Sequence, residues 1–218
     1  MRLSTSSVQR PVPSRPDGAR GVHLQRLADV VDAVGPRRLV VAVDGPAGSG
    51  KTTFGHELGL ALRGCGRTVL RASLDDFRRP VAEWVTAESD GGVAMYRHAL
   101  DVTRLQHDLV DPLRRGDPVA LCGLDPLTQE ERRDVRVVPA RFDVLLVDGL
   151  FAQQPAVRGL WDLAIWLQVR PEVVERRSPL ARRLSLAEEL YRTEVDPART
   201  ADLVVDYSAT AALRVAHA

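Results

Sequence analysis

Apolar residues in this chain follow two periods. Runs at Leu39-Val40-Val41-Ala42-Val43, at Phe142 to Val147 ending in Asp148, and at Leu163 to Val169 are short and rich in branched side chains. That pattern predicts strands buried on both faces, as in a parallel sheet. Between the runs the spacing turns helical. Val22, Leu24, Leu27, Val30, Val31 and Val34 predict a helix over 21–34 closed by Gly35-Pro36, and the stretch from Lys51 to Leu62, ending at Gly64, predicts another. Thr68-Val69-Leu70 reads as a strand. Leu105, Leu109 and Leu113 mark a helix that Asp101 can cap and that carries Pro112 near its end. Pro118 to Leu121 and Val135 to Val138 are short strand candidates, Pro171 opens a helix to about Arg183, a further helix covers Leu186 to Glu194, and Leu203-Val204-Val205 is the last strand. Strands alternating with helices predict an α/β fold, a doubly wound, mostly parallel sheet in three layers.

Composition narrows the class. The chain has 218 residues, 44% hydrophobic and 27% charged, which suits one domain with a sizeable core. Residues 1–20, rich in Ser, Pro and Arg, read as a flexible N-terminal arm, and 21–218 as a single domain. A net charge of +1 gives no global field that would favour nucleic acid or an anionic membrane. No apolar run approaches the roughly eighteen residues that span a bilayer. Two distant cysteines, Cys65 and Cys122, form no CxxC pair, so a reduced cytoplasmic location is expected. Of the 30 basic residues one alone, Lys51, is lysine. Where arginine has taken every other cationic position, that lysine is the first candidate for chemistry.

Lys51 sits in Gly45-Pro46-Ala47-Gly48-Ser49-Gly50-Lys51-Thr52, which fits G-x-x-x-x-G-K-[ST] at every fixed position between a predicted strand and a predicted helix. Glycines let the backbone wrap a phosphate, amides from about Gly48 to Thr53 point inward, and the helix N-terminus adds its positive end. Lys51 reaches the β/γ-phosphates and the Thr52 hydroxyl takes Mg²⁺. A narrow ammonium enters such a loop where a planar guanidinium is too wide. Gly45, Ala47, Gly48, Ser49, Gly50, Lys51, Thr52 and Thr53 are therefore the nucleotide-binding candidates.

Two carboxylate positions complete the chemistry. Asp148 ends an apolar strand in the manner of a metal-binding acid, and parallel strands present their C-terminal ends on one sheet edge, beside the loop. Asp75 and Asp76 follow the second strand, where a carboxylate can take a proton from an acceptor hydroxyl.

These residues together resemble the uridine kinase-like branch of the P-loop small-molecule kinases, related to phosphoribulokinase and pantothenate kinase. The resemblance runs from about Val40 to Asp206. It rests on the loop, on Ser73-Leu74-Asp75-Asp76-Phe77-Arg78-Arg79-Pro80, on Tyr96 with Asp101 and the helix to Leu113, on Val147-Asp148-Gly149-Leu150-Phe151, and on Leu190-Tyr191 to Asp196-Pro197. It implies transfer of the γ-phosphoryl group of ATP or GTP, with Mg²⁺, to a small-molecule hydroxyl, most simply that of uridine or cytidine. Asp75 then matches the base, Asp148 with Thr52 the metal site, Arg176 and Arg182 the γ-phosphate donors, and Arg79 and Tyr96 the acceptor contacts. The lid region departs from the family: Arg176 to Arg183 run almost directly into Ser185. A homo-oligomer is compatible with this reading. The loop also resembles that of cytidylate-type nucleoside monophosphate kinases, and the short lid keeps a nucleotide-binding regulator without kinase activity in view.

Overall fold

In a computed structural model, residues 1–7, 12–85, 90–132, 135–178, 180–209 and 212–217 are described. The elements run α1 (Gly18–Asp32), β1 (Leu39–Asp44), α2 (Lys51–Gly64), β2 (Thr68–Ser73), α3 (Gly91–Ala94), α4 (Val102–Leu105), α5 (Asp111–Arg115), β3 (Val119–Ala120), β4 (Arg136–Val137), β5 (Asp143–Asp148), α6 (Pro155–Arg158), β6 (Leu163–Gln168), α7 (Pro171–Arg177), α8 (Leu180–Arg183), α9 (Ser185–Val195), α10 (Pro197–Thr200), β7 (Leu203–Ala209) and β8 (Ala212–His217).

The main sheet has the order β2-β5-β1-β6-β7-β8. Its first five strands are parallel and β8 returns antiparallel to β7. The continuous apolar runs are explained by burial on both sides: every residue of β1 and of β5 is buried. Alternate residues feed opposite layers. Val41, Val43, Val144 and Leu146 pack with Leu24, Leu27, Phe54 and Leu58 of α1 and α2. Val40, Ala42, Leu145 and Val147 pack with Leu105, Leu109 and Leu113 on the other face. Each such side chain contributes about 1.5–3 kcal/mol through burial, so a charge at Leu146 or Val147 would break a whole layer.

Three local departures from the sequence pattern have physical causes. The helix expected from Pro171 to Arg183 is two pieces, broken at Ser178, whose extended backbone (φ −146°, ψ 118°) is what a residue before proline prefers. Ahead of Pro112 the helix widens into a π-helical turn, Gln106–Val110, which accommodates the missing N–H and the ring. Of the residues expected to form an N-terminal arm, Gly18 to Arg20 open α1, and Arg2 to Ser4 lie along the edge of β2. Arg2 and Ser4 donate their amides to the Val69 and Arg71 carbonyls at 2.9 and 3.0 Å, and Arg71 returns one to Arg2 at 2.9 Å. The Ser4 and Ser6 side chains are buried there. β8, the antiparallel strand at the sheet's far edge, is not among the strands expected from the sequence pattern.

Candidate active site

The strand-to-helix loop after β1 is shaped by glycine at two positions above all. Gly50, the residue before α2, has φ +93°, and Gly48 has φ +77°, both in the left-handed region that favours glycine. A Cβ on Gly48 would lie 2.6 Å from the Cβ of Ser178, so the loop is fitted against the α7–α8 break. Ala47, Gly48, Gly50, Lys51, Thr52 and Thr53 line a cavity of about 780 Å³, together with Ser73, Asp75, Asp148, Arg177 and Tyr207. Ser49 belongs to the loop but faces inward, fully buried. Gly45 lies behind the cavity wall, beside Trp166 and Tyr191.

Lys51 donates from Nζ to the Gly45 and Pro46 carbonyls at 2.8 and 2.9 Å. Burial pushes its ammonium below the ordinary lysine range, opposed by the carboxylates of Asp44, Asp75, Asp148 and Glu188. Glu188, on α9, accepts the Ala47 amide at 2.6 Å, and burial raises its own pKa. Asp44, the last residue of β1, has structural surroundings. It is fully buried and accepts bonds from the Tyr191 hydroxyl at 2.5 Å, the Gly45 amide at 2.8 Å and the Gln153 side chain at 3.3 Å. Burial raises its pKa against those bonds. This network ties the loop to α9 and α10.

The Thr52 hydroxyl donates to Asp148 Oδ2 at 2.7 Å. Asp148 Oδ1 takes Arg71 Nη2 at 2.5 Å, and both partners are buried, with side chains 2% and 5% exposed. Arg71 comes from mid-β2, and its guanidinium also reaches the Leu146 carbonyl at 3.2 Å. It fits only because position 55 is glycine: a Cβ there would lie 2.4 Å from Nη1. Sequence reasoning missed Arg71, since one arginine among so many gives no signal. Thr52 and Asp148 offer the hard oxygen donors Mg²⁺ takes. Among the described residues no group of three or more His, Cys, Asp or Glu could hold a metal unaided. A magnesium site completed by substrate phosphates fits such a sparse donor set.

The two carboxylates after β2 separate cleanly. Asp75 faces the cavity, held by Arg78 Nη2 at 2.5 Å. Asp76 is fully buried, accepts the Ser4 hydroxyl at 2.5 Å, and burial pushes it up to about 7. Its carbonyl receives the Gly123 and Leu124 amides at 2.9 Å, so it anchors a neighbouring loop.

A second cavity, about 570 Å³, opens beyond Asp75 and is lined by Arg78, Asp90, Met95, Leu150, Leu180, Arg182, Arg183, Leu184 and Leu186. Asp75, Leu150 and Leu180 line both cavities, so the two spaces meet at the Asp75 carboxylate. Four sequence assignments shift on this geometry. Arg177, not Arg176, lines the loop cavity, with Nη1 3.5 Å from the Ser49 carbonyl. Arg182 lines the second cavity, and a separate groove with Pro46 and Glu188, but not the loop cavity. Arg78 lines that cavity, whereas Arg79 is exposed outside it. Tyr96 is buried, its ring against Phe151 and Tyr191 and its hydroxyl donating to Glu194 at 2.8 Å, which makes it part of the packing.

No family model matches the chain, and no curated protein matches it. Solved structures do. A possible uridine kinase from Bacillus stearothermophilus superposes with a TM-score of 0.70 at 24% identity, over 84% of this chain and 97% of that one. A D-glycerate 3-kinase from Cryptococcus neoformans var. grubii gives 0.54 at 14% identity, over 90% of this chain and all (100%) of the other. What the chain shares with these proteins is their fold, a three-layer α/β/α architecture around a mostly parallel sheet.

Proposed function

We propose that the chain is an ATP-dependent phosphotransferase that moves the γ-phosphoryl group to a hydroxyl of a small molecule. The observation that carries this reading is the meeting of two cavities at Asp75, one walled by the phosphate loop and one free for an acceptor. ATP fits the first: charge-assisted bonds from loop amides contribute roughly 1.5–3 kcal/mol each in protein settings. Mg²⁺, when bound, neutralises charge developing on the phosphates.

The residues divide the work. Thr52 and Asp148 hold the metal, with Arg71 fixing the Asp148 carboxylate. Lys51 leaves its carbonyl partners for the β/γ-phosphates, whose charge favours its protonated form. Asp75 takes the proton from the acceptor oxygen as that oxygen bonds to the γ-phosphorus and the bond to the bridging oxygen breaks, releasing ADP. Arg177 stands at the loop to stabilise the transferring group. Uridine or cytidine is the acceptor that the sequence resemblance implies.

The test is ADP release from MgATP across an acceptor panel, in wild type and in Asp75→Asn. General-base loss should lower turnover by about 10²–10⁴-fold, with ATP affinity held. Asp76→Asn should keep turnover at neutral pH. Retained turnover in Asp75→Asn, turnover of CMP alone, or tight ATP binding without transfer to any acceptor would overturn the reading.

A further inference from the structure

The second cavity carries information about the acceptor. Its volume of about 570 Å³ lies in the range of small-molecule sites. Gly92 closes one rim by close approach: a Cβ there would sit 2.8 Å from the Arg183 carbonyl, which locks α3 against the α8–α9 junction.

Among the described residues its charge is unbalanced, with three arginines to two carboxylates. Both lining carboxylates are engaged: Asp75 with Arg78 at 2.5 Å, and Asp90 as the cap of α3, accepting the Gly92 and Val93 amides at 2.9 Å. Arg182 and Arg183 have no ion pair among the described residues. Many arginines of this chain lie exposed without an ion pair; these two do so on a concave wall. Successive helical residues point about 100° apart, so each guanidinium offers its own donor fork to a carboxylate or phosphate ester.

The apolar part of the lining is aliphatic: Met95, Leu150, Leu180, Leu184 and Leu186. No aromatic side chain lines the cavity among the described residues; the rings of Tyr96 and Phe151 border an adjoining pocket beside Asp75 and Arg78, but its volume of about 20 Å³ is too small for a nucleobase to stack there. Tyr96, the one aromatic candidate from the sequence, is committed to Glu194 and its neighbouring rings.

Resting on the phosphotransferase reading, we propose that the acceptor is a small aliphatic alcohol bearing an anionic group, bound by Arg182 and Arg183 with its hydroxyl toward Asp75. The reaction balances as a simple transfer: the acceptor oxygen bonds to the γ-phosphorus, the γ-phosphorus bond to the bridging oxygen breaks, and the hydroxyl proton passes to Asp75.

Matched acceptors test this with the full chain. Glycerol, glycerate and glycerol 3-phosphate share hydroxyls and differ in charge, as do panthenol and pantothenate; uridine and cytidine supply neutral nucleosides. ATP binding is measured first by calorimetry, then ADP release with each acceptor, in wild type and in Arg182→Ala/Arg183→Ala. The expected result is turnover confined to anionic members, with the double variant raising their KM at least about tenfold and erasing the preference over the neutral partner. The carboxylate and phosphate arms tell which anion is read. Tight MgATP binding with equal or better use of a neutral alcohol or nucleoside overturns the anionic acceptor alone. Failure to bind MgATP, or tight binding without transfer to any acceptor, overturns the phosphotransferase reading itself, and the acceptor proposal with it.

Discussion

Replacing Arg71 by Met removes the charge that balances Asp148 while keeping most of the side chain's volume. The pair is 2.5 Å apart, with side chains only 2% and 5% exposed, and Asp148 meets open space only where it borders the loop cavity. Losing one partner of such a pair costs about 3–5 kcal/mol, chiefly because the remaining charge stays buried and uncompensated. For a chain of this size each kcal/mol moves the melting temperature by roughly 2–4 °C, giving a fall of roughly 6–20 °C. The Thr52 hydroxyl at 2.7 Å still donates to Asp148 and holds the value toward the lower end. Thermal melts of wild type, Arg71→Met, Asp148→Asn and the double variant form the cycle. Neutralising Asp148 in the Arg71→Met background should restore at least half of the loss. Gly55→Ala gives an independent check, since its new Cβ would lie 2.4 Å from Arg71 Nη1 and drive the guanidinium off the carboxylate. A loss below about 1 kcal/mol in Arg71→Met, or no restoration by Asp148→Asn, would refute the reasoning.

Lys51→Ala should lower phosphoryl transfer by about 10²–10³-fold, the scale of losing one charge-stabilising donor, and should weaken ATP binding in calorimetry. Asp76 has a folded-state pKa of about 7 against 3.8 for the free side chain, so the folded chain holds its proton more tightly. Its contribution is complete below the unfolded value and is lost as pH rises to the folded one, at about 1.4 kcal/mol per pH unit. Wild-type melting temperature relative to Asp76→Asn should therefore fall between about pH 4 and about pH 7; a constant difference counts against the assignment. Tyr191→Phe strips the 2.5 Å hydroxyl bond from buried Asp44 and should cost about 1–3 kcal/mol in urea unfolding.

The sheet and the phosphate loop were legible because their signals are local. Runs such as Val144 to Val147 are apolar on both faces, and the loop's spacing is fixed by backbone geometry. Asp148 was legible for the same reason, as the acid that ends its strand. What stayed hidden depended on rotation or on distance. Arg176 and Arg177 differ by one residue, which turns a helical side chain by about 100°, and composition offers no way to choose between them. Arg78 and Arg79 differ likewise at the end of a single turn. Arg71 acts through Asp148 and Gly55, partners far off in sequence or on another element. The helix break at Ser178 was readable in principle from the proline that follows it. The seating of Ser4 on Asp76 was not, because seventy-two positions separate them.

The first residues bear on how copies of this chain can associate. The main-chain groups of Val69 and Arg71 that face outward from β2 are already bonded to Arg2 and Ser4. Adding a strand from a second copy at that edge would first strip three main-chain hydrogen bonds, each contributing about 0.5–1.5 kcal/mol net. The chain's own beginning thus guards one end of the sheet against self-templating, and any dimer must be built from side-chain surfaces or from the opposite edge.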